Sequence, residues 1–217
     1  MTTAIIGTGN IGGQVARYLV AGGERVVLAA RDESHAAALA NELGPLASAA
    51  PVRQAIEDAD AVVLAVWLDT TKELIAENAD VLRGKVVVDP SNPIRPDGNG
   101  GFARTLADGQ SAASVIAGLL PADAHLVKAF GSLGADALAS SANRKPRRAV
   151  LFYATDDERA AATVERLIAT AGFDAVKAGG LSDAIRIEVF GDLHQFGGLN
   201  GNVVEAEEAR AAVGLAA

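Results

Sequence analysis

Short apolar runs alternate with stretches of helical period along most of the chain. Ala4–Ile6 reads as a first strand. From Asn10 to Ala21 the residues Ile11, Val15, Tyr18 and Leu19 recur on one helical face, and Gly22-Gly23 ends the pattern. Val26–Ala30 predicts a second strand, followed by an Ala-rich helix to about Leu43, a short strand at Leu46–Ala49 and a helix starting at Pro51. Ala61–Val66 and Lys85–Asp89 are continuous apolar runs, the pattern of strands covered on both faces in a parallel sheet. Between them Thr70-x-x-Glu73 predicts a capping box opening a helix that Gly84 closes. His125–Ala129 and Arg148–Tyr153 predict two more strands. Thr155-x-x-Glu158 predicts a second capping box, for a helix ending at Gly172, and Phe173–Val176 a last strand.

This repetition predicts an α/β fold: a doubly wound Rossmann sheet, mostly parallel, of about eight strands. Residues 1–178 form the dinucleotide-binding domain. Residues 179–217 form a small helical C-terminal segment, interrupted by Gly197-Gly198 and Gly201, that packs on the same domain and offers itself as a dimer interface. The stretch from Pro90 to Gly101 reads as a low-order loop. It follows a strand directly and so falls at the carboxyl edge of the sheet, where ligands bind.

The chemistry begins in AIIGTGNIGG, where Gly7, Thr8, Gly9, Asn10, Ile11 and Gly12 stand between the first strand and the first helix. In that context GxGxxG is the dinucleotide fingerprint: Gly7 for the tight turn, Gly9 for approach of a diphosphate to the main chain, Gly12 for helix–strand packing. The helix N-terminus adds free N–H groups and a partial positive charge. The second strand ends Leu28-Ala29-Ala30 and is followed by Arg31, where an NAD site commonly places Asp or Glu. Without a carboxylate at the strand tip Arg31 can grip the 2′-phosphate of NADP, with Ser34 and His35 as further donors. The alternatives are Asp32 turning inward to hold the ribose of NAD, or Asp32 as an N-cap with Arg31 a solvated charge.

Other strand ends add candidates for the rest of the site. Ala65, Val66 and Trp67 follow the fourth strand as a wall for the nicotinamide or its ribose, with Trp67 as a packing residue the other reading. Pro90, Ser91 and Asn92 follow the fifth, where Asn92 either hydrogen-bonds a carboxamide or ribose or only shapes the turn. Lys128, Ala129, Phe130, Gly131 and Ser132 follow the sixth, with main-chain groups for the redox partner.

Composition removes other classes. The net charge of −8 repels nucleic acid, and no apolar run reaches membrane-spanning length. With no cysteine there is no disulfide, thiolate metal site or thiol nucleophile, and three scattered histidines give no metal-ligand pattern. The absence of a secretion signal and of cysteine points to the cytoplasm. No hydrolytic triad, paired-carboxylate site or Walker loop is present. No catalytic side chain or metal is expected, because hydride transfer between two groups that carry their own chemistry needs alignment and exclusion of water. One basic turn, Arg144-Lys145-Pro146-Arg147-Arg148, interrupts the acidic surface.

In these residues the chain resembles the NADPH-dependent reductases of the deazaflavin coenzyme F-420, the F-420-dependent NADP oxidoreductases. The resemblance covers nearly the whole chain and rests on IIGTGNIGG, AARDESH, VVVDPSNP, HLVKAF and GFDAVKAGGLSDAIRIE. It implies that Gly7 to Gly12 bind the diphosphate of NADP(H), that Arg31 binds the 2′-phosphate with His35 assisting, and that Val66-Trp67 and Ala129-Phe130 line the nicotinamide and deazaflavin. It further implies direct hydride exchange in a homodimer, with Trp67, Asn92, Phe130, Gly131 and Ser132 around the second redox partner. The first halves of these motifs are shared with ferric reductase domains and pyrroline-carboxylate reductases. A flavin, a ferric chelate or a small imine or carbonyl compound therefore remains open as the acceptor, and a redox sensor that binds NADP(H) without turnover is the reading from another class. HLVKAFGSL departs at Gly131 from the KAFN of several relatives. The anionic tail of F-420 gives the basic turn a possible ligand, against the alternative of a solvated turn.

Overall fold

The computed structural model describes residues 1–215. Its N-terminal half alternates β1 (Thr2–Ile6), α1 (Asn10–Ala21), β2 (Arg25–Ala29), α2 (Glu33–Leu43), β3 (Ala47–Ala49), α3 (Val52–Glu57), β4 (Ala61–Leu64), α4 (Leu68–Leu82) and β5 (Val86–Asp89). There follow β6 (Ile94–Pro96), β7 (Phe102–Arg104), α5 (Ala112–Ala117), β8 (His125–Lys128), α6 (Ala135–Ser141), β9 (Val150–Ala154), α7 (Glu158–Thr170) and β10 (Asp174–Gly179). A 3-10 helix (Leu181–Ile187) and α8 (Ala206–Ala212) complete the order.

Eight strands form one sheet in the order β10-β9-β8-β5-β4-β1-β2-β3. Each is among the strands the apolar runs predict. Because adjacent residues of a strand face opposite sides, a run apolar throughout feeds two cores. Ile5, Leu28, Val63 and Val88 face Val15 and Leu19 of α1 and Val164 and Leu167 of α7. Ile6, Val62, Leu64 and Val87 face Ile56 of α3, Ile75 of α4 and Ile116 of α5. Each such side chain, fully buried, contributes about 1.5–3 kcal/mol.

Six strands from β3 to β8 are parallel, which puts the loops after β1, β2, β4, β5 and β8 on one edge. β9 runs antiparallel to β8, pairing Ala154 with Lys128, and β10 runs parallel to β9. Thr155 Oγ1 donates to Leu126 O at 2.6 Å and His125 Nδ1 lies 2.6 Å from Asp157 Oδ2, as antiparallel register requires. The chain therefore enters β9 from the carboxyl-edge side, and the basic turn Arg144–Arg148 lies on that side.

Several local expectations change. The loop after β5 contains the antiparallel β6–β7 hairpin, pairing Ile94 with Arg104. Helix α4 begins at Leu68 behind Trp67, so Thr70 lies inside it and does not cap it. Helix α7 is capped by Asp157, which accepts from Ala160 N at 2.8 Å. Thr155 is engaged instead with Leu126 O and Asp157 N. The C-terminal segment holds only the 3-10 helix and α8; most of the remainder up to residue 215 is turn. It packs on the sheet through Ala184, Ile187, Leu193 and Ala209 against Val150, Phe152, Val176 and Ala178.

Candidate active site

The strand order reverses between β1 and β4, leaving a crevice at the carboxyl edge where the loops after these strands meet. Their contact explains two of the glycines. Gly7 has φ +100°, and a Cβ on it would lie 2.4 Å from Ala65 O and 2.7 Å from Val66 Cγ1. A Cβ on Gly12 would lie 1.9 Å from Gly7 O and 2.8 Å from Ala65 Cβ. Gly9 differs: a Cβ there meets nothing within 4 Å. It is the N-cap of α1 and has no side chain to close the first turn, which carries no acid. Gly7 N–H donates to Ala29 O at 2.8 Å and ties the loop to β2, while Thr8, Asn10 and Ile11 complete its path into α1. The result is an open cradle of main-chain donors, the shape a diphosphate needs.

Beyond β2, Arg31 is exposed and makes no hydrogen bond or ion pair among the described residues. Asp32 caps α2, its Oδ1 accepting from Ser34 N at 3.0 Å and Ser34 Oγ at 2.6 Å. The Ser34 hydroxyl and N–H hold the Asp32 carboxyl below the usual carboxylate range. The Ser34 hydroxyl proton is thus already committed to Asp32, leaving its oxygen only as an acceptor. The exposed His35 ring has Nε2 3.8 Å from Asp32 Oδ2. Arg31 and His35 therefore stand at the β2 end of the cradle. About three strand spacings, some 14 Å, separate the tip of β2 from that of β5.

At the other end Ala65 and Val66 are half-buried against the glycine loop, and the Trp67 ring is exposed. Pro90 and Ala129 are buried. Asn92 is bound to protein at both ends of its amide: Nδ2 donates to Gly131 O at 3.0 Å, and Oδ1 accepts from Val189 N at 2.7 Å. One N–H remains for a ligand. Phe130 has φ +64°, but its ring is wholly buried among the core residues and presents no face to a ligand, contrary to the expectation for the second pocket. Gly131 has a steric reason, since a Cβ would lie 2.5 Å from Pro90 O. Ser132 is buried, with its carbonyl accepting from Gln195 N at 3.0 Å and its hydroxyl unpartnered.

Beneath these loops lies a buried charge cluster that no motif identified. Lys128 Nζ sits 2.7 Å from Asp89 Oδ2 and 3.3 Å from Glu188 Oε1, and also donates to Ser91 O. All three side chains are essentially without solvent contact. Burial opposes the lysine charge, but Asp89 and Glu188 outweigh it and hold its ammonium above the ordinary range. Burial pushes the Glu188 carboxyl up, with Lys128 pulling the other way. Arg104 of β7 approaches Glu188 Oε2 to 4.0 Å. The one sequence signal was a charged residue closing an apolar run in VVVD and HLVK. Ser91 Oγ, Ser132 Oγ, Glu188 Oε2 and His194 Nε2 are buried here without partners. His194 Nδ1 accepts from Phe196 N at 2.9 Å, so its neutral ring carries the proton on Nε2, and burial lowers its pKa to about 4.

The basic turn is partly balanced by acids of the C-terminal segment. Arg144 lies 3.0 Å from Glu205, and Arg147 lies 3.4 Å from Glu205 and 3.6 Å from Glu207. A cleft of about 640 Å³ opens beside it, lined by Pro146, Arg148, Asp174, Ala206 and Arg210 among others, and is distinct from the glycine cradle.

Residues 2–93 match the family model described as "NADP oxidoreductase coenzyme F420-dependent". No curated protein matches the chain. Among solved structures, a hypothetical protein, SMa0349 of Sinorhizobium meliloti, is 30% identical, with 85% of this chain and 87% of that one covered and a TM-score of 0.76. A candidate F420-dependent NADP-reductase from Arthrobacter sp. FB24 is 23% identical over 85% of this chain and 87% of that one, TM-score 0.74. A reductive aminase from Aspergillus terreus, solved with NADPH and ethyl levulinate, shares the fold at 18% identity and TM-score 0.62. It is matched over 84% of this chain and 56% of its own length.

Proposed function

The chain belongs to the coenzyme F-420-dependent NADP oxidoreductase family, and from that premise we propose that it passes a hydride directly between NADP(H) and the deazaflavin coenzyme F-420. It is an NADP-dependent oxidoreductase. The NADP part of this reading is supported chiefly by Arg31, an exposed guanidinium without a partner among the described residues, beside a cradle whose neighbouring acid is turned away into a helix cap, and the F-420 part by the family resemblance. In this reading the N–H groups of residues 8–12 hold the diphosphate and Arg31 the 2′-phosphate, with His35 beside it. Ala65, Val66 and Trp67 wall the nicotinamide end, and the loops after β5 and β8 form the floor on which the acceptor lies. NADPH supplies the hydride; the chain's residues align the two rings and exclude water. The same resemblance supports a homodimer acting in the cytoplasm. Among the described residues no helix is long and apolar enough to cross a membrane.

The test offers the purified protein NADPH with F-420 or with FMN and follows nicotinamide absorbance. Oxidation with F-420 and little with FMN is the expected result. Turnover of FMN, a ferric chelate or an imine, with F-420 inert, overturns the acceptor assignment. Tight NADPH binding with no acceptor turned over points to a sensor instead.

A further inference from the structure

The loops after β5 and β8 carry the floor of the proposed acceptor site, and the C-terminal strap (residues 188–204) crosses beside them. Side-chain bonds tie the three segments together: Asn92 to Gly131 O and Val189 N, Lys128 to Ser91 O and Glu188, and Gln195 Oε1 to Gly134 N at 2.9 Å. Gln195 N adds one main-chain bond to Ser132 O. Two of these side chains, Asn92 and the wholly buried Lys128 at the end of β8, reach all three segments, and Asn92 is the one that lies outside the buried charge cluster. We infer that Asn92 is a positioning residue that fixes the strap against the floor of the acceptor site, and so sets acceptor binding while leaving dinucleotide binding untouched.

The chemistry of the amide makes the assignment specific. A carboxamide accepts at oxygen and donates at nitrogen in one plane, so it spans a main-chain N–H on one side and a carbonyl on the other. Aspartate keeps only the acceptor, and alanine keeps neither. The close approach that lets so short a side chain reach is secured by Gly131, where a Cβ would strike Pro90 O. The tie lands on Val189, directly before Phe190, whose ring is exposed and whose φ of +73° is strongly disfavoured for a bulky L-residue. Loosening Val189 frees Phe190 to leave that conformation and moves the strap's exposed edge. The glycine loop shares none of these bonds; its main-chain ties run to Ala29 and within α1.

The inference rests on the hydride-transfer reading, but its first test does not. Hydrogen exchange is measured on wild type, Asn92→Ala and Asn92→Asp without any acceptor. In Asn92→Ala, amides of 188–196 exchange faster by roughly tenfold or more, the scale of one lost hydrogen bond, with α1 unchanged. Asn92→Asp, which keeps the acceptor for Val189 N–H, stays closer to wild type. NADPH affinity, read by fluorescence of the bound nicotinamide, stays within about twofold, as for independent sites. With F-420 as the acceptor, KM rises by about tenfold in Asn92→Ala with a much smaller change in kcat. Unchanged exchange in the strap overturns the inference, and so does a loss of NADPH affinity in step with the rise in KM. If wild type turns over no acceptor, the exchange result still decides the clamp while the hydride-transfer reading alone fails.

Discussion

Gly9 and Gly12 occupy the same short loop for different physical reasons, and substitution separates them. Gly12→Ala drives a Cβ to 1.9 Å from Gly7 O, so urea denaturation is expected to show a loss of about 3 kcal/mol or more, or no folded protein. Gly9→Ala points its methyl into open space and is expected to leave stability within about 0.5 kcal/mol. In the proposed binding mode the same methyl occupies the place of the diphosphate, so NADPH affinity measured by calorimetry is expected to fall by roughly tenfold or more. Exchanging Arg31 for Glu reverses the charge at the adenosine end, and the ratio of NADPH to NADH efficiency is expected to drop at least about tenfold. His194 gives a pH signature. Its folded pKa of about 4 lies below the ordinary 6.5, so above that value neither state takes the proton. As pH falls from 6.5 towards 4 the unfolded chain is protonated first and stability is lost, on the order of 3 kcal/mol. Denaturation midpoints across that window should slope less in His194→Gln than in wild type. At this scale the sequence was legible where spacing encodes backbone shape, as in Gly7 to Gly12. It singled out Asn92 but left its partners open, because an amide facing a ligand and an amide facing Gly131 and Val189 look alike as letters.

The central strands were legible because each must be apolar on both sides to lie between two helix layers, while the edge strands β3 and β10 are partly exposed. Direction was not: LFYA buries equally well whichever way β9 runs, and only its bonds to Leu126 and Lys128 distinguish the two. The β6–β7 hairpin was hidden in a stretch rich in Gly, Pro and Asn, whose three-residue strands carry no apolar run. The cap of α7 was displaced because Thr155 and Asp157 offer the same acceptor chemistry two residues apart, whereas α4 starts behind Trp67 with no side-chain cap. Asp157 caps α7 and also meets His125. Replacing it with Ala should therefore cost about 1–2 kcal/mol in urea denaturation, against a negligible effect for Thr70→Ala inside α4.

Across the whole molecule, the sheet brings five strand ends to one edge and gives each a distinct part of a single surface. β2 contributes the free arginine, β1 and β4 the interlocked glycine loop and its wall, and β5 and β8 the floor tied to the C-terminal strap. The antiparallel β9 returns the basic turn to the same side, but Glu205 and Glu207 already pair with Arg144 and Arg147, so an anionic ligand tail would have to displace them at those two arginines. Among the described residues, Lys128, Asp89 and Glu188 lie beneath this edge, paired with one another. The proposed function asks of this edge that it hold two flat groups and leave the chemistry to them. The most direct measurement of that claim uses NADPH deuterated at the transferring position of its nicotinamide, with F-420 as acceptor in ordinary water. Direct transfer predicts one deuterium retained in the reduced deazaflavin. Label lost to solvent, or F-420 left oxidised while another acceptor takes the deuterium, would contradict it.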